Sequence, residues 1–127
     1  MNAPTHLDVL RRPIPSEFMT AVAQRFGDRL LTSPSALAHY GESESPYPAT
    51  PPDAVVIAHT TDDVAALAAL CHAHRVPLIP YGAGSSLEGH TLAIEGGVSL
   101  DLSQMNVIVA INAEDLTATV QAGVLRK

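Results

Sequence analysis

The sequence has few aromatic residues and few cations. Its 127 residues include no tryptophan, and aromatic residues make up 4%, so the core must be aliphatic. Seven lysines and arginines stand against thirteen acids, giving a net charge of −6. This charge argues against nucleic acid as a partner, because nucleic-acid binding requires a basic surface. No segment approaches the roughly 18 apolar residues of a transmembrane helix, so no transmembrane segment is predicted.

Cysteine is scarce too, and no targeting sequence is evident. A single cysteine, Cys71, excludes an internal disulfide and fits a reducing compartment. The N-terminal residues lack the basic segment and apolar core of a secretory signal. We therefore expect a cytoplasmic protein. Apolar residues at 46% and charged residues at 16% are typical of a globular chain.

Residues 1–50 are predicted to form a helical lead and a proline-rich connector. A first helix is expected with Ser16 as its N-cap and Gly27 as its stop. A second, short helix is expected over residues 35–40. Residues 41–53 contain four prolines and several acids, which is typical of an extended connection.

Residues 51–127 are predicted to form the compact part of the chain. The apolar run 54–58 is typical of a buried strand. Thr60 begins a capping-box pattern, which predicts a helix running to about His74. Residues 76–80 supply the next strand, so the segment is a βαβ unit with parallel strands.

Further strands are expected after the βαβ unit. Three apolar runs, at residues 98–102, 107–111 and 117–121, have the length and composition of strands. No helical repeat occurs after Gly89. The predicted fold class is therefore α+β: a helical lead, a βαβ unit and then further strands.

Residues 81–90, the glycine loop, link the βαβ unit to those strands. Three glycines and two serines within eight residues predict a tightly turning backbone with uncovered N–H groups, which suits an anion. No lysine or arginine occurs between Arg75 and Arg126. A bound anion would therefore be held by backbone dipoles and by the hydroxyls of Ser85 and Ser86. An ordinary flexible surface loop is the alternative interpretation.

Two known nucleotide-binding motifs nearly match the glycine loop. The spacing of a P-loop is present, but His90 stands where the phosphate-binding lysine belongs. The dinucleotide fingerprint is also present, with Leu87 in place of its third glycine. Both motifs need a helix directly after the glycines, and residues 91–97 lack that pattern. Both interpretations are therefore disfavoured.

No metal site and no catalytic residue are predicted. His72 and His74 point about 200° apart on a helix, so they cannot share one ion. Their position suits the helix dipole instead. No serine lies in a Gly-x-Ser-x-Gly elbow, because Ala83 and Glu88 occupy the positions that need glycine.

Six segments follow one another in a recognisable order along the chain: residues 52–56, 60–64, 76–80, 82–89, 98–106 and 122–124. Their order makes the combination specific, although no single segment is specific. Together they resemble the FAD-binding domain of the vanillyl-alcohol oxidase / p-cresol methylhydroxylase type. The closest branch resembles D-lactate dehydrogenase (cytochrome type) and the FAD-linked subunit of glycolate oxidase.

The resemblance implies that the glycine loop wraps the pyrophosphate of FAD. In covalent relatives a histidine often stands where this chain has Ser85, so the resemblance implies non-covalent FAD. Ala83 replaces a frequent glycine, and a positive φ there would cost about 1–2 kcal/mol, so we expect a negative φ. The residues expected at the cofactor are Tyr81, Gly82, Ala83, Gly84, Ser85, Ser86, Gly89 and His90, with Gly123 from a later turn.

Members of this family are several times longer than this chain. We therefore expect an N-terminal lobe of the FAD-binding domain, with the remainder of that domain as its partner. The parent protein is expected to oxidise a D-2-hydroxy acid, of the D-lactate or glycolate type, to the 2-oxo acid. This chain alone is expected to be inactive. The alternative is a non-catalytic module that binds a nucleotide or a partner chain.

Overall fold

The structure, a computed structural model, describes residues 10–126 of the chain. Its helices are α1 (Ser16–Phe26), followed by a 3₁₀ turn at Gly27–Arg29, then α2 (Pro34–Tyr40) and α3 (Thr61–His74). Its strands are β1 (Leu30–Leu31), β2 (Ala54–Ile57), β3 (Leu78–Tyr81), β4 (Val98–Asp101), β5 (Ile108–Asn112) and β6 (Thr117–Val120). The predicted α+β class is confirmed.

Strands β1 to β4 form one mixed sheet in the order β1-β2-β4-β3. β4 is parallel to both β2 and β3, so the predicted parallel strands of the βαβ unit are confirmed. They are not neighbours, however, because β4 lies between them. β4 is the last of these four strands along the chain, and all four of its residues are buried, as expected for a strand with neighbours on both sides. β1 adds an antiparallel edge from the lead.

Helices α1 and α3 cover one face of this sheet. Phe18, Val22 and Phe26 repeat along α1 and are buried against Leu67 and Cys71 of α3. The same cluster includes sheet residues from β2 and β4, namely Ala54, Val56, Val98 and Leu100. The lead and the sheet therefore share one core. The division of the chain into a lead and a flavin domain at residue 50 stays a prediction.

The opposite face of the sheet is covered by the short helix α2. Its last residue, Tyr40, packs on Val55 of β2 and on Tyr81 at the end of β3. Leu31 and Leu37 complete this smaller cluster. The alternation of Val55 with its neighbours across the two faces is what a strand covered on both sides requires.

The helix termini match most of the predicted signals. The capping box at the start of α3 is confirmed, and Gly27 caps α1 with φ 58°. The prediction of Ser16 as an N-cap is wrong: Ser16 is the first helical residue, and Pro15 precedes it in extended backbone without a side-chain cap. The second helix begins at Pro34, one residue before the prediction, because proline suits the first turn.

Strands β5 and β6 form a separate antiparallel hairpin. Both were predicted, and their observed bounds differ by one residue. Every residue of the two strands is exposed, including the apolar Ile108, Val109, Ile111 and Val120. The hairpin therefore presents an uncovered apolar surface. Among residues 10–126 the longest helix falls short of what a membrane crossing requires in length and apolar character.

Asp63 connects the start of α3 to the lead. Its carboxylate accepts hydrogen bonds from Arg29 Nη1 at 2.6 Å and from the backbone N–H groups of His59 and Thr60. Arg25 lies 3.2 Å away as a second ion-pair partner. The hydrogen bond from Arg29, together with the backbone donors, holds the pKa of Asp63 well below its usual range, although burial opposes this shift.

We expect Asp63→Asn to lower the free energy of unfolding by about 2 kcal/mol at pH 7, since hydrogen bonds to a charged group are lost. The folded-state pKa of Asp63 lies below the unfolded one, so its contribution is complete above about pH 4 and disappears as the pH falls. Urea titrations at pH 7 and pH 3 measure this. The difference in free energy of unfolding between wild type and Asp63→Asn should be smaller at pH 3 than at pH 7. Asp62→Asn, in the same turn but exposed, is the control, and an equal pH dependence there would contradict the assignment.

Candidate functional site

The glycine loop leaves the sheet at the carboxyl edge of its parallel strands. β3 ends at Tyr81, which is in register with Asp101 at the end of β4. Asp101 is in turn in register with Ile57 at the end of β2. Open α/β sheets bind their ligands at this edge. The loop lies where the sequence predicted it.

Six successive backbone N–H groups of the loop are not used internally. Within residues 10–126, none of the N–H groups of residues 82–87 donates a hydrogen bond to a protein group. The next one, from Glu88, donates a long 3.4 Å hydrogen bond to Ser86 Oγ. A row of six donors is therefore available for a ligand or for water, which is the condition for an anion-binding loop.

Two glycines fix the path of the loop. Gly84 has φ 69° and Gly89 has φ 77°, values that favour glycine. A Cβ at Gly84 would collide with Tyr81 Oη, whereas a Cβ at Gly82 would meet no atom within 4 Å. The expected absence of a positive φ at Ala83 is confirmed, since the described non-glycine residues with positive φ are Arg75 and Leu116.

The two serines of the loop differ in their surroundings. Ser86 Oγ lies 2.6 Å from His90 Nδ1, and Ser86 O accepts a 3.4 Å hydrogen bond from Ser43 Oγ. Ser85 is exposed, and its hydroxyl makes no hydrogen bond to the described residues. Ser85 therefore offers a free hydroxyl, while that of Ser86 is shared with His90.

The loop lies between two hollows of opposite character. One, the acidic hollow, has a volume of about 310 Å³ and is lined by His39, Glu42, Ser43, Glu44, Tyr81, Ala83 and Gly84. The other, the neutral hollow, has a volume of about 340 Å³ and contains no charged residue. It is lined by Gly82, Ser103, Asn106, Ile108, Gly123, Val124 and Leu125.

The neutral hollow brings together two predicted site residues from distant parts of the chain. Gly82 follows β3 and Gly123 follows β6, yet both line the same space. Ser103 and Asn106 add polar groups that were not predicted as site residues. Their signal was available, because both belong to segment 98–106 of the resemblance.

Gly123 is required by close backbone packing. Its N–H donates to Met105 O at 2.9 Å, and a Cβ would collide with Leu102 O. The turn after β6 is thereby held against the turn after β4. This contact fixes one wall of the neutral hollow relative to the sheet.

The cysteine and histidines of α3 lie away from the loop. Cys71 is buried, and burial raises the pKa of its thiol to about 11. The His74 ring packs edge-on against Phe18, with the centroids 5.7 Å apart. Across residues 10–126, no group of three or more histidine, cysteine or acidic side chains is arranged to hold a metal ion.

The chain matches a known protein family over most of the region that carries the loop. The FAD binding domain family matches residues 52–126. The chain belongs to this family. The match begins just before β2 and includes the glycine loop and the turn at Gly123.

Curated relatives of this FAD binding domain include D-lactate dehydrogenases and a glycolate oxidase subunit. The chain is 41% identical over 102 residues to the probable mitochondrial D-lactate dehydrogenase of Danio rerio, covering 80% of this chain and 20% of that protein. It is 45% identical over 84 residues to glycolate oxidase subunit GlcD of Bacillus subtilis, covering 62% of this chain and 18% of that protein. The resemblance stated from the sequence is confirmed. The chain spans about a fifth of the length of these relatives.

Solved structures show the same fold. An alkyldihydroxyacetonephosphate synthase superposes with a TM-score of 0.74 at 26% identity, covering 91% of this chain and 24% of that one. p-Cresol methylhydroxylase with substrate bound superposes with a TM-score of 0.68 at 25% identity, covering 90% of this chain and 24% of that one. The predicted fold type, that of the p-cresol methylhydroxylase FAD-binding domain, is confirmed.

Two glycines of the loop provide a matched pair of substitutions. Gly84→Ala should lower the free energy of unfolding by about 1–3 kcal/mol, because of its positive φ and the collision with Tyr81. Gly82→Ala should change it by less than about 0.5 kcal/mol, because the added Cβ meets open space. Urea unfolding followed by circular dichroism measures both. Equal losses would show that the loop path is not the one described.

Proposed function

We propose that this chain is the FAD-binding part of a flavoprotein oxidoreductase that oxidises a D-2-hydroxy acid to the 2-oxo acid. The observation that carries the proposal is the row of six unpaired loop N–H groups at the carboxyl edge of the parallel strands. Membership of the FAD binding domain family supports FAD as the ligand. The names of the curated relatives support a hydroxy acid such as D-lactate or glycolate as the substrate of the whole protein.

The loop is proposed to hold the pyrophosphate without any cation from its own region. Each hydrogen bond to a charged group contributes about 1.5–3 kcal/mol, so four or five backbone donors are sufficient to anchor it. The proposed cofactor-binding residues remain those predicted from the sequence, with the N–H groups of residues 82–86 as the principal donors and the Ser85 hydroxyl as a further one. Tyr81 lies beneath the loop, and its side chain is buried.

The pyrophosphate is proposed to lie on the neutral side of the loop. Glu42 and Glu44 line the acidic hollow and would repel an anion. On the other side, Gly82, Ser103 and Asn106 offer polar groups without charge. Electrostatics therefore favours the hollow that Gly82 and Gly123 share.

The role proposed for this chain is binding and orientation. The glycine loop would hold FAD, which when bound would supply the hydride acceptor for C2 of the hydroxy acid, and the protein would position the cofactor for that transfer. No residue of this chain is proposed to be catalytic. Non-covalent binding is also a proposal, supported by Ser85 at the position where covalent relatives often have histidine. A cytoplasmic location likewise remains a prediction.

The alternative function is a non-catalytic module that binds a nucleotide or a partner chain. The uncovered apolar side chains of the β5–β6 hairpin, such as Ile108, Val109 and Ile111, favour association with another protein surface. The visible spectrum of the purified protein separates the two functions. Bound yellow flavin supports the oxidoreductase. A colourless, folded monomer that does not bind added FAD supports the non-catalytic module.

Titration with FAD tests whether the pyrophosphate is what the loop recognises. We expect the 127-residue chain to bind FAD weakly, and ADP to compete while adenosine does not, because adenosine lacks the diphosphate. Gly84→Val should weaken binding at least about tenfold by distorting the loop. Calorimetry measures these affinities. Competition by adenosine as strong as that by ADP would contradict recognition through the diphosphate.

A pair of charge changes tests which hollow is used. Asn106→Asp places a carboxylate in the neutral hollow with almost no change of shape, and should weaken FAD binding roughly tenfold. Glu44→Gln removes a charge from the acidic hollow and should change the affinity far less. A larger effect of Glu44→Gln would place the diphosphate on the opposite side of the loop.

The activity expected of this chain alone is nil, since the relatives are about four times as long as this chain. Incubation with D-lactate, FAD and an artificial electron acceptor checks this expectation. Acceptor reduction that depends on D-lactate would show that the catalytic groups lie within these 127 residues, contrary to the role proposed here.

A further inference from the structure

Beneath the glycine loop lies a buried cluster of two tyrosines and a carboxylate. Tyr40 Oη donates a 2.5 Å hydrogen bond to Asp101 Oδ2, and the backbone N–H of Ser103 donates to Asp101 Oδ1 at 2.8 Å. The side chains of Tyr40 and Tyr81 meet edge to face, with centroids 4.7 Å apart. We call Tyr40, Asp101 and Tyr81 the tyrosine–aspartate cluster.

The cluster stabilises a buried negative charge with neutral donors. Asp101 is 8% exposed, and no arginine or lysine of residues 10–126 forms an ion pair with it. Each of its two carboxylate oxygens accepts one hydrogen bond, from the Tyr40 hydroxyl and from the Ser103 N–H. Removing one donor would leave a buried charged oxygen without a partner, which is more costly than losing an exposed contact. The hydroxyl of Tyr40 is therefore held in one position.

The same cluster supports the loop from below. Tyr81 ends β3, and its hydroxyl lies so close to Gly84 that a Cβ there would collide with it. Tyr81 is 7% exposed, so its ring has little space in which to move away. Burial raises the pKa of Tyr81, and the negative charges of Asp101 and Glu42 add to this shift. The position of the ring thus limits the path of the loop at Gly84.

Tyr40 comes from outside the part of the chain that matches the family. It is the last residue of α2, while the family match begins at residue 52. Tyr40 therefore connects the helical lead to the end of β4, beside Tyr81, across 61 residues of sequence. No other hydrogen bond in the described part of the chain joins a side chain of α2 to the end of β4.

We propose that Tyr40 is a positioning residue: by its hydrogen bond to Asp101 and its packing on Tyr81, it holds the glycine loop in the conformation whose free N–H groups receive the FAD diphosphate. The inference rests on the proposed function and adds to it a residue of the lead. Tyr40 acts through Tyr81 and has no contact with the cofactor in this proposal.

Tyr40→Phe tests the proposal, because it removes the hydroxyl and keeps the ring. Two readouts apply to the 127-residue chain: the affinity for FAD by calorimetry, and ¹⁵N relaxation of the Gly82 and Gly84 amides without FAD. We expect binding weaker by roughly tenfold, and amide order parameters that fall from about 0.85 toward 0.6. A role in stability alone would lower the unfolding midpoint and leave both loop readouts unchanged, which would overturn the proposal.

Two further variants sharpen the test. Tyr47→Phe is the matched control, since Tyr47 is exposed, its ring lies beside Gly89 of the same loop, and its hydroxyl makes no hydrogen bond within the described residues. It should leave both readouts unchanged. Asp101→Asn should retain more affinity than Tyr40→Phe, because the Tyr40 hydroxyl can accept a hydrogen bond from the new amide while the amide oxygen keeps the Ser103 N–H.

The outcomes separate this inference from the proposed function. If Gly84→Val loses FAD while Tyr40→Phe binds it like the wild type with unchanged loop order, the positioning role is overturned and FAD binding by the loop stands. If the wild-type chain shows no binding of FAD at all, the proposed function is overturned, and the positioning role with it. Weakened binding and reduced loop order in Tyr40→Phe, with Tyr47→Phe unaffected, support the inference.

Discussion

The structure depends on keeping a row of backbone N–H groups unpaired at the end of β3. Unpaired donors are tolerated in a loop that faces solvent, whereas buried ones carry a penalty of about 1–3 kcal/mol each. Here the donors follow directly on β3, which pairs with β4 as far as Tyr81, and the loop makes almost no internal hydrogen bonds. Gly84 and Gly89 set the path of this row, and the neutral and acidic hollows leave space on its two sides.

The rest of the molecule gives that loop a rigid base. β4 lies at the centre of the sheet and brings Asp101 next to Tyr81, so two adjacent strands end at the same level. Helices on both faces bury the strands, and the turn after β6 is held to the turn after β4 through Gly123. A flexible loop between two fixed strand ends has fewer conformations than its glycine content alone would allow.

Much of this arrangement was predictable from local patterns. The capping box of α3, the parallel strands and the position of the glycine loop follow from residue spacing, and the family follows from a set of ordered segments. The central position of β4 was not predictable, because strand order depends on long-range packing rather than on the residues of the strand. The contact of Tyr40 with Asp101 was not predicted for the same reason, because two residues that lie 61 positions apart in the sequence carry no local signal of contact. Ser16 was misassigned because serine favours the N-cap, whereas this helix begins at Ser16 itself, directly after Pro15.

The shared core of lead and sheet has a consequence for anyone who wishes to transplant this cofactor module. A chimera cut at the family boundary, residue 52, would omit Phe18, Val22 and Phe26, all buried against α3 and the sheet. The excised piece would expose to water the part of that face which α1 covers, and would tend to aggregate. The graft with a chance of folding is the one that carries α1 and β1 along with it.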